Sequence, residues 1–170
     1  RENSYSLPSL FLKYEPNDWL MLRYASTKTL ARPDYADIIP LYNYFGSGGE
    51  VLYRNRFLEP GVSKNQDYVL AFNSEKLGLL SLSYFTKDID GLVYSSGKRY
   101  IVLGTADSLY GLPHYTDQKF IIDYKLNNPY EVKLEGFEID YQTRFWYLPG
   151  MLSGLVFNTN YTRSFSEVKY

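Results

Sequence analysis

The stretch EVKLEGFEIDYQTRFWY, residues 131–147, is the clearest strand in this chain. After Glu135 its odd positions are Phe137, Ile139, Tyr141, Thr143, Phe145 and Tyr147. Its even positions are Glu138, Asp140, Gln142, Arg144 and then Trp146. Successive side chains of a strand point to opposite faces, so this segment has one aromatic face and one charged face. A helix would return the charges every third or fourth residue, which is not the pattern here. The segment is also far longer than the ~5–6 residues of an ordinary globular strand.

The same period recurs on either side of this stretch. Leu155, Phe157 and Tyr161 alternate with Asn158, Asn160 and Thr162; Tyr68, Leu70 and Phe72 alternate with Asp67, Val69 and Ala71. Leu80, Leu82 and Tyr84 oppose Ser81 and Ser83, while Leu12 and Tyr14 oppose Lys13, and Leu22 and Tyr24 oppose Arg23. At least six strands are predicted, at about 8–15, 19–29, 64–73, 77–90, 130–147 and 151–165. Three short connections are rich in turn formers: Glu15-Pro16-Asn17-Asp18, Asn73-Ser74-Glu75-Lys76 and Leu148-Pro149-Gly150. Two long ones, about 30–63 and 91–129, lie between them. Within the second, Phe120, Ile122 and Tyr124 predict a further piece of strand, which Asn128-Pro129 would interrupt. Short turns at one end of an antiparallel meander and long loops at the other describe a transmembrane β-barrel, with periplasmic turns and extracellular loops. A soluble, aromatic-rich β-sandwich binding module, for instance for carbohydrate, shares the alternation. Burial separates the two, since a sandwich covers Phe137, Ile139 and Tyr141 and a barrel turns them to lipid.

Composition narrows the function. Tyr 19, Phe 10 and Trp 2 make 18 % of the chain aromatic, which is strand material. Eighteen Lys and Arg against 19 Asp and Glu leave a net charge of −1, without the basic excess of a nucleic-acid binder. Without cysteine there is no disulfide framework, thiolate metal site or Cys nucleophile, and one histidine excludes a multi-His centre. No cofactor is expected. The longest apolar runs, Trp19 to Leu22 and Phe120 to Ile122, fall far short of the ~20 residues of a spanning helix. A chain that opens on Arg1 reads as a piece of something longer, so a missing signal peptide means little.

Several strings carry a resemblance. LPSLFLKYEPND (residues 7–18) resembles a barrel hairpin of TonB-dependent outer-membrane receptors, and TLARPDY (29–35) looks like the end of the following strand in that family. SYFTKDID (83–90) is similar to its recurrent strand end. GFEIDYQ (136–142), Leu148-Pro149-Gly150 and Asn160-Tyr161-Thr162 match a later hairpin in order and spacing. NRFLEP (55–60) matches only loosely, and no plug-like segment, TonB box or alternating terminal strand before Tyr170 is visible. Six strands cannot close a barrel, which needs at least about eight and in plugged transporters about 22. The resemblance therefore implies a portion of the C-terminal half of such a barrel in the outer membrane of a Gram-negative bacterium. It further implies a non-enzymatic importer of a scarce ligand, such as a siderophore or glycan. Its partners would be the plug domain of the full-length chain, the TonB energy-coupling complex, the ligand and outer-membrane lipid.

Candidate residues fall into two groups. Arg23, Glu138, Asp140, Gln142 and Arg144 are expected to line a polar lumen. Glu138 and Asp140 also have the spacing of paired carboxylates, but charged lumen residues explain them more simply. In the long loops, Tyr42, Tyr44, Phe45 and Tyr53, then Tyr94, Tyr100, Tyr110, His114 and Tyr115, supply aromatic surfaces able to stack on a ligand, or else to pack the loops or a membrane girdle. Ser108, His114 and Asp117 hold the ingredients of a triad without the rigid scaffold one needs. Gly46-Ser47-Gly48-Gly49 lacks the Lys-Ser/Thr of a phosphate loop. Asp88-Ile89-Asp90-Gly91 lacks the later ligands of a calcium loop.

Overall fold

The structure is a computed structural model and describes residues 4–39, 42–45, 50–97, 99–102 and 119–169. In chain order its elements are β1 (Ser9–Asn17), β2 (Leu20–Ala31), the single helical turn α1 (Tyr35–Ile38), β3 (Tyr42–Phe45) and β4 (Glu50–Tyr53). Then come β5 (Gly61–Ser74), β6 (Gly78–Asp90), β7 (Val93–Ser95), β8 (Arg99–Val102), β9 (Lys119–Asp123) and β10 (Lys125–Asn127). The last are β11 (Val132–Arg144), a 3-10 turn (Gly150–Gly154) and β12 (Val156–Glu167). None of the helices among the described residues is long and apolar enough to cross a membrane, which has no bearing on crossing by strands. The chain divides into two compact units.

The first unit holds residues 1–30, 62–89 and 131–169. Its six strands lie in chain order, β1-β2-β5-β6-β11-β12, as one single-layered sheet. These are the six strands the alternation predicts, and a sandwich, which needs a second layer, is not what they build. Phe137 and Tyr141 are half-buried and Ile139 is 37 % exposed, so none of the three is enclosed. β5, at 14 residues, is ~46 Å long at about 3.3 Å per residue. Tilted by about 40° it still rises ~35 Å, more than the ~25 Å apolar band of an outer-membrane barrel.

Cross-strand register assigns the faces. Phe137 lies opposite Tyr84, Ile139 opposite Leu82 and Tyr161, and Tyr141 opposite Leu80. Ring contacts carry the same face across the sheet, Tyr24 to Tyr68 at 5.0 Å and Tyr68 to Tyr84 at 6.3 Å. Opposite residues of an antiparallel pair share a face, and such aromatic neighbours stabilise by about 0.2–1 kcal/mol each. Above Phe137 the face turns polar: Glu135 lies opposite Thr86 and Lys133 opposite Asp88. The Tyr84 hydroxyl donates to Glu135 Oε2 at 3.0 Å and the Tyr68 hydroxyl to Gln66 Oε1 at 2.9 Å. These tyrosines stand at the border between apolar and polar surface, their rings on one side and their hydroxyls on the other.

The turns follow local chemistry. Pro16 has no N–H for the ladder, and the β1–β2 register shifts between Tyr14 and Asn17. Asn17 Oδ1 then accepts from the Trp19 N–H at 3.3 Å. Gly78 opens β6 at φ +80°, where a Cβ would fall 2.0 Å from the Gln142 carbonyl oxygen; only glycine fits. The third turn differs from expectation. Leu148-Pro149-Gly150 is not a tight turn, because β11 stops at Arg144 and β12 starts at Val156. A Phe145 N–H to Leu155 carbonyl bond of 3.0 Å closes the ladder, and the intervening chain winds into the 3-10 turn.

The second unit holds residues 31–61 and 90–130. The two segments read as loops in fact carry short strands. β3-β4-β9-β8 form one sheet, in which β4 pairs with β9 in parallel, and β7 pairs with β10. The predicted strand around Phe120 is split into β9 and β10, and Asn128-Pro129 ends it before β11.

Candidate functional site

The polar face of the six-stranded sheet gathers the predicted lumen residues. Glu138, Asp140, Gln142 and Arg144 follow one another on β11, opposite Thr162, Asn160, Asn158 and Val156 of β12. Arg23 lies opposite Lys13 on β1, on the side away from Tyr24, and so shares that face. Amides hold the carboxylates: Asn160 Nδ2 donates to Glu138 Oε1 at 2.6 Å and to Asp140 Oδ2 at 3.5 Å, and Gln142 Nε2 donates to Asp140 Oδ1 at 3.1 Å. Thr162 Oγ1 donates in turn to Asn160 Oδ1 at 3.1 Å. A second cluster lies on the same face, where Asn65 Nδ2 reaches Thr27 Oγ1 and Thr29 Oγ1, each at 3.2 Å. The Lys13–Glu15 pair at 2.8 Å is over half exposed on both sides and contributes little. This surface is hydrophilic and internally bonded, suited to water or to another polar surface.

In the second unit, the backbones of Tyr42, Tyr44 and Phe45 (β3), Tyr53 (β4) and Tyr100 (β8) belong to one sheet. Register sets Tyr42 opposite Tyr53 and Tyr100 opposite Ile121. Candidates from both long segments are thus brought into one element. Tyr94 lies in β7, opposite Leu126. Tyr110, His114 and Tyr115, like Ser108, Asp117 and the stretch Gly46-Ser47-Gly48-Gly49, lie outside the described residues. No cluster of three or more His, Cys, Asp or Glu able to hold a metal occurs among the described residues.

Sequence reading missed the polar bridges that join the two segments. Asn127 Oδ1 accepts from the Glu59 N–H at 2.8 Å, while Asn127 Nδ2 donates to the carbonyls of Glu59 and Gly91, both at 2.8 Å. Asn55 Nδ2 donates to the Lys125 carbonyl at 3.0 Å, and Lys125 Nζ pairs with Asp37 Oδ2 at 2.7 Å. The Arg54 guanidinium donates to the Ala36 carbonyl. Asn128, only 2 % exposed, donates its N–H to the Leu92 carbonyl and accepts from the Tyr130 N–H. One amide side chain both donates and accepts, so asparagine can join two backbones at once. The one available signal was Asn127-Asn128-Pro129 itself, legible as a turn but silent about its partners.

Comparison with known proteins bears on this arrangement. The sequence model of the family described as TonB dependent receptor-like, beta-barrel matches residues 1–169. Among solved structures, the siderophore receptor PirA of Pseudomonas aeruginosa superposes with a TM-score of 0.67 at 18 % identity, covering 94 % of this chain and 28 % of that one. A mutant of the ferric enterobactin receptor PfeA of the same organism gives 0.61 at 21 % identity, covering 93 % and 21 %. The Serratia marcescens hemophore receptor HasR, in complex with its hemophore HasA and heme, gives 0.60 at 18 % identity, covering 80 % and 20 %. At such identities the likeness is one of fold, and this chain spans less than a third of each receptor. No curated protein matches the sequence.

Proposed function

The chain belongs to the TonB-dependent receptor β-barrel family, and from that premise we propose that it forms part of the wall and loops of an outer-membrane importer in a Gram-negative bacterium. The family consists of transporters rather than enzymes. The observation that carries the reading is the two-faced sheet, with the Phe137-Ile139-Tyr141 row on one side and the Glu138-Asp140-Gln142-Arg144 row on the other. The first row faces lipid and the second lines the lumen, where it meets water and the plug domain of the full-length chain. The long segments are extracellular, and Tyr42, Tyr44, Phe45, Tyr53, Tyr100, Tyr110, His114 and Tyr115 supply its ligand contacts. The cargo is a scarce ligand, a ferric siderophore or heme in keeping with the names of the compared receptors. Import draws energy from the TonB complex acting on the plug.

Uptake tests this directly. The full-length receptor containing this chain, expressed in a strain stripped of its own iron receptors, should import labelled ferric siderophore or heme in a TonB-dependent manner. Failure to import any member of a catecholate, hydroxamate, heme and glycan panel, from a receptor folded in the outer membrane, would overturn the proposal.

A further inference from the structure

The turn between β11 and β12 is longer than the other two at its end of the sheet and carries no charge. Those present one large apolar residue each, Trp19 and Leu77, among charges, Glu15 and Asp18 in one and Glu75 and Lys76 in the other. Residues 145–162 contain no Asp, Glu, Lys or Arg, and the turn within them presents Trp146, Tyr147, Met151, Leu152 and Leu155 to the outside. Met151 is 96 % exposed. The turn is nonetheless built. Leu148 N–H donates to the Phe145 carbonyl at 3.0 Å, Leu155 N–H to the Leu152 carbonyl at 3.1 Å, and Ser153 Oγ to the Gly150 carbonyl at 2.8 Å. Trp146 Nε1 ties it to the neighbouring hairpin through the Glu75 carbonyl at 3.1 Å.

Its apolar surface continues the aromatic face of the sheet. Tyr141 and Phe157 meet with tilted rings at 6.1 Å, and just beyond them Phe145, Tyr147 and Trp146 follow one another at 6.2 and 6.0 Å. Tryptophan and tyrosine, apolar bodies with polar tips, favour the level where lipid chains meet headgroups. An amphipathic helix lying in that plane buries its apolar face ~5–10 Å into the boundary, and the apolar side of a short 3-10 turn meets the same surroundings. We propose that the β11–β12 turn is a membrane anchor: it folds against the bilayer at the turn end of the sheet and inserts Met151 and Leu152 among the lipid headgroups and upper acyl chains. This rests on the barrel reading, because it takes the Phe137–Tyr141 face as lipid-facing.

The test uses the full-length receptor, freed of other cysteines and reconstituted in phosphatidylethanolamine–phosphatidylglycerol vesicles. An environment-sensitive fluorophore is attached at Met151→Cys, at Leu152→Cys, and at Ile139→Cys as a lipid-facing reference. Lipids with a quencher high on the acyl chain should remove most of the emission at 151 and 152, and quenchers deep in the chain most of that at 139. Emission at 151 and 152 that responds to aqueous iodide and not to lipid quenchers places the turn in water and overturns the anchor. Emission shielded from both places it under protein, a second copy or another part of the receptor, and overturns it equally. If the probe at 139 also escapes every lipid quencher, the barrel reading itself fails. Substitution at so exposed a position as Met151 leaves folding intact, which heat-modifiable gel mobility verifies.

Discussion

Gly136 stands mid-strand in β11, where glycine ordinarily weakens a sheet. A Cβ there would sit 2.7 Å from the Arg163 carbonyl oxygen and 2.6 Å from Cζ of Phe85, whose ring lies across the gap from the opposite strand. The ring end could turn aside, but the carbonyl belongs to the β11–β12 ladder and cannot. Gly136→Ala should therefore cost about 1–3 kcal/mol, as overpacking does, read as a lower urea midpoint for unfolding of the reconstituted receptor. An unchanged midpoint would mean that the ladder yields there at no cost. Thr143 makes the converse case. It is 5 % exposed, and its buried hydroxyl has no hydrogen-bond partner. Thr143→Val removes a desolvated polar group while keeping the β-branched shape, and should leave stability unchanged or raise it by about 1 kcal/mol. The same midpoint decides it, and a clear loss would reveal a partner for that hydroxyl. Neither residue was marked by its sequence: a glycine and a threonine in an alternating strand look alike whatever lies across from them.

Among the elements, the long strands were legible and the short ones were not. β1, β2, β5, β6, β11 and β12 repeat the two-residue period often enough to declare a face from alternation alone. β3, β4, β7, β8 and β10 hold three or four residues each, too few for a period to show. They exist because remote segments pair, β4 with β9 and β7 with β10. Asn127 is the joint most open to test. With its amide removed, Glu59 N–H and the carbonyls of Glu59 and Gly91 lose these bonds. Glu59 is exposed and Gly91 half-buried, so water takes up the loss and each bond is worth about 0.5–1.5 kcal/mol. Asn127→Ala should thus speed hydrogen exchange at the Glu59 amide by roughly twofold to tenfold, at about 1.4 kcal/mol per tenfold. Loosening should spread through residues 50–61 and 91–95 in the full receptor. Exchange that rises only next to position 127 would show that the two segments stand independently. Asn127→Asp keeps the acceptor but sets a carboxylate against two carbonyls, and should loosen them further.

For the whole molecule, parity is the decisive quantity, since adjacent residues of β11 meet opposite surroundings. Ile139→Arg puts a charge on the face taken to contact lipid, where it costs about 2–4 kcal/mol near the bilayer midplane. It should sharply reduce heat-modifiable barrel in the outer membrane. Asp140→Arg, one residue along, falls on the polar face beside Asn160 and should assemble nearly as wild type. Equal defects from both would contradict a lipid-against-lumen division. Much of this is written in the order of the residues: two-faced strands, their succession, short turns and long connections identify an antiparallel barrel wall and its family resemblance. Those are local properties, written in each segment's own residues and needing no partner to be read. Folding in three dimensions settles that the two long segments share a sheet, that Asn127 fastens them, that Gly136 faces the Arg163 carbonyl, and that the β11–β12 turn is a built element rather than a tight reversal. Each of these depends on which remote backbone supplies a donor, an acceptor or a steric wall, and alternation along one strand carries no information about what lies across from it.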